Sequence, residues 1–198
     1  APLSKEIPDN ISINLSGAAS ELERTWISMK NNAIIAFIVI FLLLTVLMKS
    51  LILPFVIVIT VPISGAGGVM GLVILNQFST QSMDMLTMLG FIILTGIVVN
   101  NSILMVEQTL WHIRYESMKI SEAITEATRN RIRPIFMSTL TSLFGLIPLV
   151  IFPGSGSELY RGIGTVVFGG LSTSAILTLL IVPPLLAFAL KFEKVKLI

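Results

Sequence analysis

At 198 residues, 54% hydrophobic and only 12% charged, the chain carries about half the charge of a soluble domain, in which roughly a quarter of residues are ionised. Its charges fall between long apolar runs, which excludes a soluble globular domain and marks a polytopic membrane protein, so that the net charge of +2 reports topology rather than nucleic-acid binding. There is no cysteine, which excludes disulfides and thiolate metal sites.

The first residue is Ala rather than Met, and no signal-like apolar stretch precedes the first polar segment, so a removed leader or a longer parent chain is expected. Residues 1–32 are polar and mixed in charge. Within them Ile11, Ile13 and Leu15 alternate with Ser12, Asn14 and Ser16, which reads as a short strand stub. Leu22, Trp26 and Met29 then follow at helical spacing, an amphipathic lead-in with Trp26 suited to the membrane–water interface.

A first apolar span is expected over 33–48 and a second over 51–75, separated by the turn Lys49-Ser50. The second span contains Pro62, which removes a backbone donor and predicts a kink. It also contains Gly67 and Gly71, four residues apart, which let another helix backbone approach closely. After a polar loop at 76–84, a third span is expected over 85–106. Residues 110–130 are charged with a broken apolar stripe, which reads as an interfacial amphipathic helix capped by Ser121. Pro134 is expected to open the fourth span, 134–152, at a first-turn position where its missing N–H costs little. A Pro/Gly/Ser loop follows, then a last span over 162–190 carrying Gly169 and Gly170, and a basic tail at 191–198. The predicted fold is thus all-α: a polar segment at 1–32 with a short strand stub, a five-helix transmembrane bundle at 33–190 with one interfacial helix, and a basic tail at 191–198.

Five spans put the two ends on opposite sides of the membrane. With the N-terminal tail outside, the inner segments hold Lys49, Arg114, Lys119, Arg129, Arg131, Arg133, Lys191, Lys194 and Lys196, against Lys5, Arg24, Lys30 and Arg161 outside. The excess of basic residues inside favours that orientation.

Two adjacent amides, Asn100 and Asn101, sit inside the third span. Polar groups at that depth are costly unless they face protein or water, and so point to a functional site. Gly96 and Asn100 share one face of that helix, while Ser138, Thr141, Ser142 and Gly145 form a small, polar face on the fourth, with Arg131 two turns before Ser138. Such faces suit a water-filled proton path; they equally suit tight helix packing, with hydroxyls bonded back to backbone carbonyls and amides holding neighbouring helices. Neither Asn nor Ser titrates, and Asp84 and Glu107 stand at span ends, so a complete proton relay would need an acid from elsewhere. Met83, Met85 and Met88 could offer thioethers to a soft metal, but methionine is more often a core filler, and His112 stands alone beside Trp111, which suggests an interfacial role. No metal or cofactor is expected. No nucleophile–base pair is visible, so an enzyme is not expected.

The string Gly96-Ile97-Val98-Val99-Asn100-Asn101-Ser102-Ile103-Leu104-Met105-Val106-Glu107, an amphipathic stretch, and then Arg131-Ile132-Arg133-Pro134-Ile135-Phe136-Met137-Ser138-Thr139 resemble helices ten and eleven of resistance–nodulation–division (RND) efflux pumps. Gly145-Leu146-Ile147-Pro148-Leu149 and Gly164-Thr165-Val166-Val167-Phe168-Gly169-Gly170 are similar to the remaining helix-eleven and helix-twelve signatures, and residues 8–20 to the end of the periplasmic porter region. The resemblance implies the C-terminal membrane half, helices eight to twelve, of a proton-driven transporter in the bacterial inner membrane. It implies a partner half with paired helix-four aspartates, and a homotrimer working with a periplasmic adaptor and an outer-membrane channel. Arg131 and Ser138 match the family's helix-eleven arginine and hydroxyl; Asn100 stands where many drug pumps have lysine, and with Asn101 completes the candidate relay set. The candidate packing glycines are Gly67, Gly71, Gly96, Gly145, Gly169 and Gly170. The heavy-metal branch usually has a carboxylate in helix ten, and its absence disfavours metal export. Two rival readings are a Sec-type translocation-accessory subunit, which shares a relay-bearing bundle, and a non-transporting membrane scaffold derived from a truncated pump.

Overall fold

A computed structural model describes residues 18–152, 154 and 156–192. The strand stub at 11–15 and most of the tail at 191–198 lie outside the described residues. Six α-helices follow in order: α1 Ala18–Met48, α2 Ile52–Val58, α3 Thr60–Asn76, α4 Met85–Tyr115, α5 Ile120–Ile151 and, after a 3-10 turn at Ser157–Tyr160, α6 Arg161–Phe192. Among the described residues, five stretches are long and apolar enough to cross a membrane: Arg24–Met48, Ile52–Asn76, Met85–Tyr115, Ile120–Ile151 and Ser157–Phe192. The described residues fall into two units, divided between Phe37 and Ile38. In the first, the described part is the N-terminal portion of α1, with Ile27, Ile34 and Ile35 exposed. The second holds the bundle.

The turn at Lys49-Ser50 forms as its composition suggests. Lys49 takes a left-handed φ of 51° and ends α1. The Ser50 hydroxyl oxygen then accepts hydrogen bonds from the N–H groups of Ile52 and Leu53 at 3.1 and 3.2 Å, satisfying two otherwise unpaired donors at the start of α2. The second span is broken at Ile59, three residues before Pro62. Proline has no N–H to give to the carbonyl of Val58, and its ring crowds that carbonyl. Ile59 keeps helical angles (φ −64°, ψ −18°), so the chain bends rather than reversing. The buried Thr60 hydroxyl donates to the carbonyl of Ile57 and lies 3.2 Å from the Ser102 hydroxyl of α4, so a polar cross-link sits at the bend. Asp84 caps α4, its side chain accepting from the Thr87 N–H at 2.7 Å.

The segment at 110–130 is not a separate interfacial helix. α4 runs through to Tyr115, a turn with Ser117 at φ 53° follows, and α5 starts at Ile120. The charged stretch is therefore the first part of the same helix that forms the fourth span. Two expectations change with it. Ser121 lies inside α5 and Lys119 occupies the cap position without a side-chain hydrogen bond. Pro134 lies in the helix interior rather than opening it. It removes the donor for the carbonyl of Asn130, an exposed residue whose carbonyl can turn to water, and the loss of one hydrogen bond does not stop an already formed helix.

α6 is the axis of the bundle and packs against α3, α4 and α5. Its closest approach is to α3. A Cβ at Gly169 would lie 2.6 Å from the carbonyl oxygen of Gly67 and 2.9 Å from the Cα of Gly71, so only hydrogen fits between the two backbones. Gly170 is covered in the same way by the Leu94 side chain of α4. Two apolar cores flank this contact. One joins Leu44, Ile57, Met105, Val106 and Leu186; the other joins Leu94, Val98, Val166 and Leu171. At the end of the bundle where α6 begins, the Arg161 guanidinium donates to the carbonyl of Val150 at 2.9 Å and to the Ser79 hydroxyl at 2.7 Å. It ties α5, the α3–α4 loop and α6 together. Val46, Leu47, Phe144 and Leu180 point outward and are exposed, an apolar exterior that suits hydrocarbon as the surrounding solvent.

Candidate site: an unpartnered polar face on α4 and α5

α4 presents its two sides to different surroundings. Leu94, Val98, Ser102, Met105 and Val106 are buried in the bundle. Gly96, Asn100 and Glu107 are exposed and Asn101 is half-buried. The same division holds on α5, where Ile135 and Thr139 are buried while Ser138, Thr141, Ser142 and Gly145 are exposed. The polar faces read from the sequence are therefore the faces that this chain leaves uncovered. A Cβ added at Gly96 or at Gly145 would meet nothing within 4 Å, so among the described residues neither is packed against a helix. Gly67, Gly71, Gly169 and Gly170 do lie at close contacts.

The amides of Asn100 and Asn101 make no hydrogen bond to any described residue. The hydroxyls are differently placed. Ser138 donates to the carbonyl of Ile135 at 3.1 Å and Thr141 to that of Met137 at 2.8 Å. Their protons are committed to the backbone, and their oxygens keep lone pairs for a donor from outside. Asn100 and Asn101 each keep two N–H donors and a carbonyl acceptor. Asn100, Asn101, Ser138 and Thr141 can thus give and receive hydrogen bonds, but none of them ionises.

Arg131 does not bond to the Ser138 face. Its Nε donates to Oε1 of Gln108 on α4 at 2.6 Å, across a half-buried seam. No hydrogen bond joins Asn100, Asn101, Arg131 or Ser138 to one another. Gln108 is the residue the sequence reading missed: its partner comes from 23 positions away on another helix, which no periodicity within one helix reveals. The exposed Glu107 instead lines a cleft of about 230 Å³ with Leu47, Met48, Leu110, Trp111, Arg114 and Tyr115.

His112 also differs from expectation. It is 6% exposed rather than interfacial; its neighbour Trp111 is the exposed ring of the two. Nδ1 of His112 lies 2.7 Å from Oε2 of Glu116, one turn on, while Nε2 is buried without a partner among the described residues. The helical register explains this: the face of α4 that buries Met105 and Thr109 also buries His112.

Five described stretches long and apolar enough to cross a membrane, a glycine-lined α3–α6 contact and a polar face left open define a helical, polytopic membrane protein. Residues 2–189 match the model of the AcrB/AcrD/AcrF family, and the chain belongs to that family of RND efflux transporters. It is 32% identical over 190 residues to the swarming motility protein SwrC of Bacillus subtilis, covering 96% of this chain and 18% of SwrC. It is 33% identical over 191 residues to the multidrug resistance protein MdtC of Escherichia coli, covering 96% of this chain and 18% of MdtC. Over 177 residues it is 33% identical to MdtC of Erwinia amylovora, covering 89% of this chain and 17% of that protein. The chain therefore spans under a fifth of the length of these relatives.

Proposed function

We propose that this chain is the C-terminal membrane half of a proton-driven RND efflux transporter, and that its open α4–α5 face receives the other half. The carrying observation is that Gly96 and Gly145 meet nothing within 4 Å and that Asn100, one turn from Gly96, is exposed and unbonded among the described residues, on helices that bury Val98 and Met105, and Ile135 and Thr139, on other sides. Small residues and free amides are what a second helix bundle needs in order to approach closely and form hydrogen bonds in a membrane. In this reading the partner half brings the carboxylates that bind the proton. Asn100 and Asn101 donate hydrogen bonds to them, the Ser138 oxygen accepts from the acid when it carries a proton, and Arg131 supplies the cation. Proton influx through that junction drives a periplasmic porter domain, and the whole works in the inner membrane as a trimer with an adaptor and an outer-membrane channel.

The test is a comparison of two arginines two positions apart. Arg131 is half-buried and bonded to α4, whereas Arg129 is exposed and has no hydrogen bond or ion pair among the described residues. In the complete transporter, at equal expression, Arg131→Ala is expected to cut substrate export at least tenfold, through loss of the cation beside the partner half's acids, while Arg129→Ala leaves it near wild type. Equal effects would reduce Arg131 to one more basic residue at the membrane edge.

Orientation is tested separately. The excess of basic residues on one side supports Ser121 in the cytoplasm and Ser157 in the periplasm. Single cysteines at the two sites, treated in intact cells with a membrane-impermeant maleimide, are expected to label at Ser157 and not at Ser121. The reverse pattern inverts the topology.

A further inference from the structure

Arg131 is held in place by an uncharged group. Gln108 is the only described residue bonded to its side chain, through Nε, and no carboxylate pairs with it. The nearby charged side chains along these helices, Glu107 and Arg114 on α4 and Glu126, Arg129 and Arg133 on α5, form no ion pair with it. A guanidinium has five N–H donors in a rigid fork. Using Nε alone leaves the two terminal NH₂ groups and the full positive charge free for another partner. An amide suits this role where a carboxylate would not: it fixes the fork at 2.6 Å without neutralising it. The contact also bridges α4 and α5, the two helices that carry the open face.

We propose that Gln108 is the positioning residue for Arg131, setting the guanidinium in the α4–α5 seam with its charge undiminished so that it acts on the proton-binding acids of the partner half. This rests on the proton-driven reading given above. It predicts that the shape of the contact and its charge have separate consequences. A residue that only braced two helices would tolerate a carboxylate in place of the amide, since the brace becomes an ion pair. A residue that preserves the arginine's charge would not.

Three variants of the complete transporter, reconstituted in proteoliposomes with an imposed pH gradient, separate these cases. Gln108→Leu is expected to lower transport roughly tenfold, because the guanidinium is no longer held in the seam, with near-normal yield and no more than the modest fall in thermal stability that one lost hydrogen bond brings. Gln108→Glu is expected to keep stability at or above wild type and to move the pH profile of transport to higher pH. The new carboxylate offsets the guanidinium's positive field, so an acid that relied on that field keeps its proton to higher pH. Arg131→Ala serves as the reference. If Arg131→Ala abolishes transport while Gln108→Glu shows the wild-type pH profile, Gln108 is a helix brace and the proposal fails alone. If Arg131→Ala transports normally, the relay reading fails and this one with it.

Discussion

Asn100→Leu in the complete transporter is expected to reduce substrate export ten- to a hundredfold, roughly the effect of leaving a buried polar partner without its hydrogen bond, about 1–3 kcal/mol. The loss is expected without a loss of protein. Asn100 points away from the core of its own chain, and its amide holds nothing within it. The substitution therefore leaves α4 packed through Leu94, Val98, Met105 and Val106 as before. Asn100→Asp is expected to be as damaging for a different reason, because a further carboxylate beside the partner half's acids raises like-charge repulsion and upsets the order in which protons bind. Export measured at matched expression decides the matter. Wild-type export by Asn100→Leu would make the amide an ordinary packing residue.

Gly169→Leu is expected to have the largest effect on folding. The atoms a side chain would meet are the Gly67 carbonyl oxygen at 2.6 Å and the Gly71 Cα at 2.9 Å, both backbone, which cannot rotate aside. The α3 and α6 backbones would have to separate, and that contact adjoins both apolar cores. Overpacking of this kind costs about 1–3 kcal/mol or more, enough to remove much of the folded protein. Thermal unfolding in detergent should show a clear fall in midpoint and a reduced yield. Gly96→Leu is the internal comparison: with nothing within 4 Å, it should leave the midpoint of this half unchanged and damage transport instead. A wild-type midpoint for Gly169→Leu would mean that α3 and α6 are not held as closely as described.

Long-period features were legible in the sequence. Apolar runs gave the five spans because the bilayer sets their length. Gly67, Gly71 and Gly169 could be singled out because only close backbone contact rewards a glycine in a membrane helix. Pro62 announced the bend at Ile59. Three features were not legible, each for a physical reason. The charged stretch before Pro134 was read as a surface helix because amphipathicity reports which side meets water, not whether the helix continues. Pro134 was read as a helix start because its missing N–H is harmless there, yet it is also tolerated in an interior where the freed carbonyl can reach water. The Arg131–Gln108 bond depends on how α4 and α5 cross, and crossing geometry is written in the packing of both helices rather than in either one.

The continuity of α5 has a mechanical consequence. Its 32 residues make a rod of about 48 Å, against a hydrocarbon core of ~30 Å. By length alone, about a third of it exceeds what crossing that core requires, and no loop interrupts it. A displacement along its axis at one end is therefore delivered at the other with little loss, whereas sideways motion meets a joint at Pro134, where the backbone lacks a hydrogen bond. That joint stands between Arg131 and Ser138. The strut is stiff to push and pull but compliant in bending, so the charged end can swing with α4, to which Gln108 pins it, while the hydroxyl-bearing length stays aligned with the membrane.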